Sequence, residues 1–492
     1  MKKAIEDIYP LSPMQSGLLF QALYAPDSDA YFVQIIYELE GKIDIIALNE
    51  AWKKASDHHP ILRTGFVWKD GEEPAQYVLE YADVSFTAEN WRDLEKTEQN
   101  KKLEDFIQKD RKKGFALAEA PLFRLALIHF SEDKYYLIWS QHHILIDGWS
   151  TPIILSDLFK IYEALRQGRE VHLKSPRPYR NYIAWVQQQD LRKAEIFWKE
   201  TLMSLEGPTK LSFRNLIQED KEKDYETYIV DFSYEETEKI KKFAQDNELT
   251  LNTVFQGAVG LVLKAYTQKQ DVIMGVTLSG RSIDLLGVED MVGLFINTLP
   301  LKITFRSTED TLTFLKTLQE QTHKLNEYAY TPLAQIQSWS GIHQSLFDVI
   351  FVFENYPFDE KIYSTNPGFS IKGVHGVEKT EYPLTITVAP REQIHLSLSY
   401  QTEHFNKELI KKLSGHIKQI LQDMLLGSKK NPQILSLLTQ QEKHQLLIEW
   451  NETSTPYPQD KIIHQIFEEQ AEKTPDNIAV VYEDQELTYQ QL

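Results

Sequence analysis

Hydrophobic residues recur with two different periods along the first 175 residues. Apolar positions three and four apart predict helices over Pro13–Tyr24, Ile45–His59 and Ser150–Gln167. A run rich in β-branched and aromatic residues predicts a strand over Phe32–Leu39. Because helical and strand patterns alternate, the chain is predicted to be an α/β protein, built as an α+β sandwich.

Two further β-rich runs predict a hairpin. Phe123–Phe130 and Tyr135–Ser140 are separated by the polar turn Ser131–Lys134. His142 and His143 follow the second strand directly, and the helix predicted from Ser150 comes soon after them. The histidines are therefore predicted to lie on a strand-to-helix loop.

The pattern breaks between Gly168 and Arg180, where charged residues surround Pro176 and Pro178. We place a domain boundary there, which gives halves 1–175 and 176–440. The second half repeats the mixture, with helices predicted over Val254–Tyr266 and Lys407–Leu426, strands over Val272–Leu278 and Asp348–Glu354, and an apolar run over Met291–Phe305. Residues 441–460 have the composition of a linker. Residues 461–492 begin another unit that is too short to bury a core alone.

Composition narrows the function classes. A chain of 492 residues with 42% hydrophobic side chains can bury a large core, in two or more compact units. Its net charge of −19, without a long basic run, argues against nucleic-acid binding. No segment is long and apolar enough to cross a bilayer and none resembles a signal peptide, so no membrane association and a cytoplasmic location are expected. The absence of cysteine excludes disulfides, cysteine-rich zinc sites and a cysteine nucleophile.

The histidine segment offers acyl-transfer chemistry. Neighbouring side chains of an extended segment point to opposite faces, so at most one of His142 and His143 can face a given cleft. A neutral imidazole, with an ordinary pKa of about 6.5, can accept a proton from an amine or a hydroxyl. His143 is the candidate for that role. Asp147 could orient the imidazole or anchor the loop through an arginine, and Gly148 permits a sharp turn.

Other chemistries fit this segment less well. Ser150 is not in the Gly-x-Ser-x-Gly elbow of serine hydrolases. Adjacent histidines do not share one face of an extended segment, and no second cluster has ligand spacing, so no metal is expected. A histidine pair is more often a packing or surface feature, and Asp-Gly is usually a turn. Their combination after a strand favours a functional site.

The pattern His142-His143-x-x-x-Asp147-Gly148 resembles the signature of nonribosomal peptide synthetase condensation domains. Four further segments resemble the other motifs of that family in order and spacing, namely Tyr9–Phe20, His58–Phe66, Tyr179–Trp185 and Met291–Pro300. The resemblance extends from about Ile5 to about Leu438.

The resemblance implies two chloramphenicol-acetyltransferase-like subdomains in a V-shaped pseudo-dimer with a central tunnel. The implied reaction is amide bond formation between a donor acyl thioester and the amine of an acceptor aminoacyl thioester. His143 is the implied catalytic residue. Arg281 is the implied salt-bridge partner of Asp147, and Asn297 would line the tunnel. His142, Gly148 and Trp149 are expected to support the site.

The same resemblance implies particular partners. Upstream donor and downstream acceptor peptidyl carrier proteins would insert phosphopantetheine arms, and no cofactor of the chain's own is expected. Ile462–Leu492 resembles the start of an adenylation domain, so the chain is expected to be a fragment of a larger module. The opening motif at Pro13–Gly17 resembles the subtype that accepts a D-configured donor. A catalytically silent condensation-like binding module and a coenzyme A-dependent acyltransferase remain alternatives.

Overall fold

The computed structural model describes residues 4–26, 28–69, 71–211, 225–355, 368–456 and 458–492. The chain forms two compact units, Met1–Leu437 and Leu438–Leu492. The boundaries predicted near residues 175, 440 and 460 stay predictions.

Helices and strands alternate through the first unit. The helices are α1 (Pro13–Tyr24), α2 (Ile45–His58), α3 (Lys96–Lys113), α4 (Ser150–Arg166), α5 (Arg180–Gln187), α6 (Leu191–Leu202), α7 (Tyr234–Asp246), α8 (Leu251–Thr267), α9 (Thr311–Glu327), α10 (Leu333–Ser340) and α11 (Lys407–Leu426). The strands are β1 (Ile5–Pro10), β2 (Phe32–Gly41), β3 (Thr64–Val67), β4 (Ala75–Leu79), β5 (Ser85–Asn90), β6 (Phe123–His129), β7 (Lys134–His142), β8 (Tyr225–Asp231), β9 (Asp271–Leu278), β10 (Asn297–Thr304), β11 (Val349–Phe353), β12 (Phe369–Val377), β13 (Leu384–Pro390) and β14 (Ile394–Gln401).

The predicted elements of both halves are confirmed, and α1 and α11 have the predicted bounds. Ser12 caps α1 by accepting a hydrogen bond from the Gln15 N–H, and Asn406 caps α11 in the same way. One difference bears on the site. Strand β7 continues to His142, which pairs with Phe32 of β2, so the first histidine is the last residue of the strand.

The first half is organised around a five-stranded sheet in the order β12-β2-β7-β6-β5. Helices α2 and α4 pack together beside it, and the rings of Trp52 and Trp139 meet edge to face in the core, 5.0 Å apart. Its edge strand β12 comes from the second half of the chain and pairs antiparallel with β2. The two halves are therefore joined by backbone hydrogen bonds as well as by side-chain packing.

The second half contains a six-stranded mixed sheet in the order β10-β9-β11-β13-β14-β8. Strands β9, β11 and β13 run parallel, and α8 and α11 pack against each other in the core of this half. Other second-half residues, including Tyr179, Tyr182 and Phe295, are buried in the core of the first half instead. The mixed α/β class is thus confirmed, with one large core in each half.

Two smaller sheets complete the fold. The first unit contains a three-stranded sheet in the order β1-β4-β3. The second unit contains α12 (Gln440–Leu447), α13 (Ile463–Lys473) and a hairpin of β15 (Ile478–Tyr482) and β16 (Gln485–Thr488). Across the described ranges, no helix has the length and hydropathy needed to span a bilayer.

Candidate active site

The ends of three neighbouring strands, β12, β2 and β7, form the base of the site. The backbone N–H of His143 donates to the carbonyl of Tyr31 at 2.8 Å, and the N–H of Tyr31 donates to the carbonyl of Lys379 at 2.8 Å. Tyr31 is buried and has a φ of +65°, in the left-handed region that a tyrosine rarely adopts. A backbone conformation of this kind persists only where the surrounding structure enforces it. Here the two hydrogen bonds of Tyr31 enforce it, and they link His143 to Lys379 in the second half.

The two histidines face different cavities. His142 lines a cavity of about 1150 Å³ beside α1 and the end of α3. His143 lines a cavity of about 670 Å³ between the two halves. Tyr31 and Lys379 contribute to both cavities, so the cavities adjoin at this point. Adjacent side chains of an extended segment point to opposite faces, and His142 and His143 accordingly line different cavities.

His142 is held as a neutral imidazole. Burial and the neighbouring His143 lower its pKa to about 3. Its Nδ1 accepts a hydrogen bond from the N–H of Ile144 at 3.1 Å, which leaves the ring proton on Nε2. A ring fixed in this way shapes the turn that presents His143.

His143 is ion-paired with a residue that the sequence did not reveal. Its Nε2 lies 3.2 Å from Oε1 of Glu378, the residue directly after β12. Burial by itself lowers the pKa of His143, but the Glu378 carboxylate outweighs burial and raises this pKa to about 9. His143 in turn holds the pKa of Glu378 below its ordinary value, against the effect of burial. The ion pair with Glu378 therefore favours the imidazolium form of His143, whereas the sequence suggested a neutral ring.

The rest of this cavity is mixed, with apolar residues such as Ile35, Leu155 and Ile296 beside hydroxyl groups. Five of the six strands of the six-stranded sheet place hydroxyl side chains on it, whereas β11 contributes Ile350 and Val352; the hydroxyl residues are Thr227, Thr277, Thr298, Thr385, Thr387, Ser397 and Ser399. Glu354, which follows β11, also lines the cavity. Burial and the nearby Glu378 raise the pKa of Glu354 to about 7, although Arg391 opposes the shift. Hydroxyls and carboxyls at these positions suit a ligand with amide or amine groups.

Asp147 lies in a fully buried polar cluster that joins the two halves. Its Oδ1 accepts from the N–H of Ser150 at 3.0 Å and lies 3.3 Å from Nη2 of Arg281, while Oδ2 accepts from the N–H of Phe295 at 3.0 Å. The Ser150 hydroxyl lies 2.9 Å from Oδ1 and 2.8 Å from the carbonyl of Gly293. Of the two sequence hypotheses, this is the geometry of an anchor through an arginine. Its hydrogen bonds go to the loop and to the second half.

Arg281 is held from several sides. Its Nη1 donates to the carbonyls of Val288 and Met291 at 2.7 and 2.9 Å, and its guanidinium lies 4.0 Å from the ring centre of Phe295. The preceding residue, Gly280, has a φ of +65°, and a Cβ there would lie 1.9 Å from the Phe295 carbonyl oxygen. Glycine is therefore required immediately before the anchoring arginine.

The remaining predicted residues occupy different places. Gly148 lines the His143 cavity, and Trp149 is the half-buried N-cap residue of α4. Asn297 is not among the residues that line these two cavities, and its expected position in the tunnel wall stays a prediction. Because β10 alternates, Thr298 faces the cavity while the Asn297 amide donates to the carbonyls of Ala329 and Thr331, each at 2.8 Å.

Sequence reasoning also missed how the opening motif reaches the site. Met14 lines the His143 cavity, and the side chain of Gln15 donates to the carbonyl of Ile144 at 3.1 Å. Gln15 is fully buried, and its amide is satisfied by this contact, which the sequence pattern of α1 does not reveal.

One group outside these cavities has metal-ligand chemistry, formed by His58, His59 and Asp157. His59 Nε2 lies 3.3 Å from Oδ2 of Asp157, whose other oxygen is 3.0 Å from the ammonium of Lys160. Because the carboxylate is already paired with a lysine, the group is explained as a structural cluster between α2 and α4.

Fold and site together define the class of protein. It is an α/β protein built of two halves, with an ion-paired histidine directly after a central strand. This histidine lies where two cavities of ligand size adjoin. The model of the condensation domain family matches residues 5–447. The chain therefore belongs to the condensation domain family.

Similar proteins include antibiotic synthases. Bacitracin synthase 3 of Bacillus licheniformis is 36% identical over 494 residues, which cover all of this chain and 8% of that protein. Gramicidin S synthase 2 of Brevibacillus brevis is 36% identical over 501 residues, covering all of this chain and 11% of that protein. The chain spans about a tenth of the length of these relatives.

Solved structures show the same fold. The starter condensation domain of rhizomide synthetase has a TM-score of 0.74 at 18% identity, covering 88% of this chain and 98% of that chain. The first condensation domain of the calcium-dependent antibiotic synthetase has a TM-score of 0.71 at 16% identity, covering 88% and 100%. The predicted acetyltransferase-like fold class is thereby confirmed.

Proposed function

We propose that this chain forms amide bonds between a donor acyl thioester and the amine of an acceptor aminoacyl thioester, each carried on the phosphopantetheine arm of a carrier protein. The observation that carries the proposal is the convergence of two cavities on adjacent histidines. A reaction between two tethered substrates needs two approaches to one point, and His142 and His143 mark such a point.

Catalysis of this reaction depends more on positioning the amine and the thioester than on activating them, because a thioester is already reactive. The amine nitrogen attacks the donor carbonyl carbon, the C–N bond forms, and the C–S bond breaks as the thiolate leaves. Holding the two groups together contributes about 7–11 kcal/mol, whereas a general base adds about 10²- to 10⁴-fold in rate. We assign His143 to orienting the amine and handling its proton, and Asp147 with Arg281 to fixing the loop that carries it.

The rim of the His142 cavity suits a phosphate group. Lys112 and Lys113, the last two residues of α3, line this cavity and are exposed. A phosphopantetheine arm carries a phosphodiester where it leaves the carrier protein, so a pair of ammonium groups at the mouth would attract it. The two carrier proteins are the proposed partners, and the cytoplasmic location remains a prediction.

Two finer proposals concern the donor and the tail. We propose that the donor ends in a D-residue, because the opening motif at Pro13–Gly17 resembles that subtype. We propose that residues 461–492 are the start of an adenylation domain. Support comes from the apolar residues that this segment leaves exposed, among them Ile463, Val481 and Leu487, as expected of a partly built core.

The direct test supplies separately loaded donor and acceptor carriers and detects the condensed thioester by mass spectrometry. His143→Ala is expected to lower the rate at least 10²-fold, because orientation and proton transfer are both lost. His323→Ala, which removes an exposed imidazole on α9, is the matched control and should leave the rate unchanged.

Near-normal product with His143→Ala would contradict the assignment. Acylation of a free amine from coenzyme A without any carrier would indicate the alternative acyltransferase. In the same assay, equal or better turnover of an L-configured donor would refute the proposed D preference.

A further inference from the structure

Two carboxyl groups, those of Glu378 and Glu354, line the cavity of His143 together with the basic side chains of Lys379, Arg391 and His395. Glu378 is paired with His143, and Glu354 approaches the same carboxylate closely enough to be affected by its charge. The adjacent Lys379 is engaged elsewhere, since its ammonium lies 2.9 Å from Asp29. Glu378 is the carboxyl group that is ion-paired with His143, so a cation that enters the cavity would compete with the imidazole for this carboxylate.

The carboxylate is also the accessible member of its ion pair. The side chain of Glu378 keeps 47% of its surface exposed, compared with 11% for His143. Since both residues line the same cavity, an entering ligand can reach the carboxylate without first moving the imidazole.

The position of Glu378 is built into the backbone. The Tyr31 backbone accepts from the N–H of His143 and donates to the carbonyl of Lys379, the residue after Glu378. Both partners of the ion pair are therefore held from the same strained residue. An arrangement fixed in this way keeps the carboxylate next to the reacting position.

We infer that Glu378 is the binding site for the acceptor's amine in its ammonium form, and that it exchanges its ion pair with His143 for one with the incoming substrate. This inference rests on the proposed function, since it names the part of the acceptor that the cavity recognises. Glu378 acts as a binding and positioning residue.

The exchange places the acceptor's amine beside the imidazole and frees that imidazole to accept a proton. An α-amine has an ordinary pKa of about 7.7–8.0, so much of the acceptor arrives as the ammonium ion and must lose a proton before it can attack. Once Glu378 binds the ammonium, His143 loses its counter-ion, and burial then favours the neutral ring. The imidazole releases its proton to water and becomes able to accept one from the ammonium.

The protons balance over the whole reaction. One of the three on the ammonium remains on the amide nitrogen, one is taken by the departing thiolate, and one is released to solvent. The C–N bond forms and the C–S bond breaks, without any oxidant or reductant.

Several other groups set the electrostatic surroundings of the pair. The titratable and charged groups that face it are His142 and Asp147 near the end of β7, Glu354 after β11, Lys379 beside Glu378, Arg391 and His395 around the β13–β14 turn, and the tyrosines Tyr31, Tyr37, Tyr225 and Tyr382. Among these, Glu354 adds negative charge only above its pKa of about 7, and Arg391 lies on the opposing side of the balance.

The test measures binding of small acceptor mimics to the full chain. Aminoacyl N-acetylcysteamine thioesters are titrated calorimetrically, and the tightest binder is compared with its deamino analogue at pH 6.5. Glu378→Gln is expected to weaken the aminoacyl mimic about tenfold or more, as for a lost charged hydrogen bond, and to leave the deamino analogue unchanged. The preference for the amine should fall as pH rises to 9.5 in the unaltered protein and stay flat in the variant.

Glu40→Gln is the matched control. Glu40 lies on β2 beside β12 and pairs with Lys372 at 3.0 Å in an exposed ion pair, so its loss should affect neither ligand. Glu378→Asp keeps the negative charge and should retain the preference for the amine. This result would show that the effect of Glu378→Gln comes from the lost charge and not from altered folding.

Equal weakening of both mimics by Glu378→Gln, or no weakening of either, would overturn the inference. Failure of the unaltered protein to condense loaded carriers would instead refute the proposed function, and the two failures are distinguishable because binding is measured without turnover.

Discussion

At the scale of single residues, the pKa of His143 makes folding stability depend on pH. Its folded pKa, about 9, lies above the ordinary 6.5, so its contribution is fully present below pH 6.5 and is lost as pH rises through 9. The pKa of Glu378 is lowered from 4.5, so its contribution is present above that value and lost in acid. The pair therefore stabilises the fold most between about pH 4.5 and 6.5.

We expect Glu378→Gln to lower the thermal midpoint by about 2 °C at pH 6, with a smaller difference at pH 9.5. The effect is modest because Glu378 is half exposed and water screens the pair. Differential scanning calorimetry of both proteins at the two pH values measures it. A difference that grows with pH would show that the ion pair is not the cause.

The surroundings of a side chain could be predicted from the sequence only where they depend on its neighbours along the chain. The alternation of His142 and His143 along a strand follows from two-residue periodicity, and each does face a cavity of its own. Glu378 could not be found in this way, because it reaches His143 only through pairing of β12 with β2 across the two halves. The same pairing changes the protonation state that the sequence suggested for His143.

At the scale of elements, the loop before α4 depends on the buried pair of Asp147 and Arg281. We expect Asp147→Ala to destabilise the first unit by about 3–5 kcal/mol, because it leaves the guanidinium buried without its counter-ion. Guanidinium denaturation measures the loss. Asp290→Ala breaks an exposed pair with Lys174 and should cost less than about 1 kcal/mol.

A soluble Asp147→Ala protein with unchanged stability and no activity would argue against the anchor role and for direct participation in catalysis. Replacing both members, as Asp147→Leu with Arg281→Met, should recover part of the lost stability, since no charge is then left unpaired.

The turn before Arg281 permits a comparison of two glycines. Gly280 and Gly341 have similar positive φ values, +65° and +71°, but a Cβ at Gly341 meets nothing within 4 Å. Gly341→Ala should therefore cost only the backbone strain, about 1 kcal/mol, whereas Gly280→Ala adds a clash with the Phe295 carbonyl and should cost at least about 2 kcal/mol more. Urea denaturation curves of the two variants measure their free energies of unfolding. Equal losses of stability would mean that the turn at Gly280 can shift to relieve the clash.

Most elements could be predicted because their periodicity and end signals are strong. The Ser12 cap and Pro13 define the start of α1, and polar residues bound the β6–β7 hairpin. Placement across strands was less predictable. On β10, Thr298 lines the His143 cavity while the Asn297 amide donates to the carbonyl of Ala329, and a motif alone does not show which of two neighbouring residues faces a cavity.

At the scale of the whole molecule, the charge distribution bears on carrier binding. The chain has a net charge of −19, yet Lys112 and Lys113 lie together at the mouth of the His142 cavity. We expect Lys112→Glu with Lys113→Glu to lower condensation from phosphopantetheine arms about tenfold at low salt, with a smaller effect at about 0.5 M salt. Steady-state rates at the two salt concentrations measure it.

N-acetylcysteamine thioesters, which lack the phosphate, should react equally well in this variant and in the unaltered protein. Equal losses with both kinds of substrate would place the two lysines outside arm recognition. Lys53→Glu, which changes an exposed lysine on α2, is the matched control.

The crossover of β12 has a consequence for recombining this protein with its relatives. Sequence order suggests that the halves could be exchanged as continuous blocks near residue 175. The sheet of the first half, however, takes its edge strand and the partner of its histidine from residues 369–378. A hybrid made at residue 175 would combine a histidine from one parent with a carboxylate and an edge strand from the other, leaving their match to chance. The residues of this site belong together in space although they are far apart in sequence. Designed hybrids should therefore transfer β12 and Glu378 together with the first half.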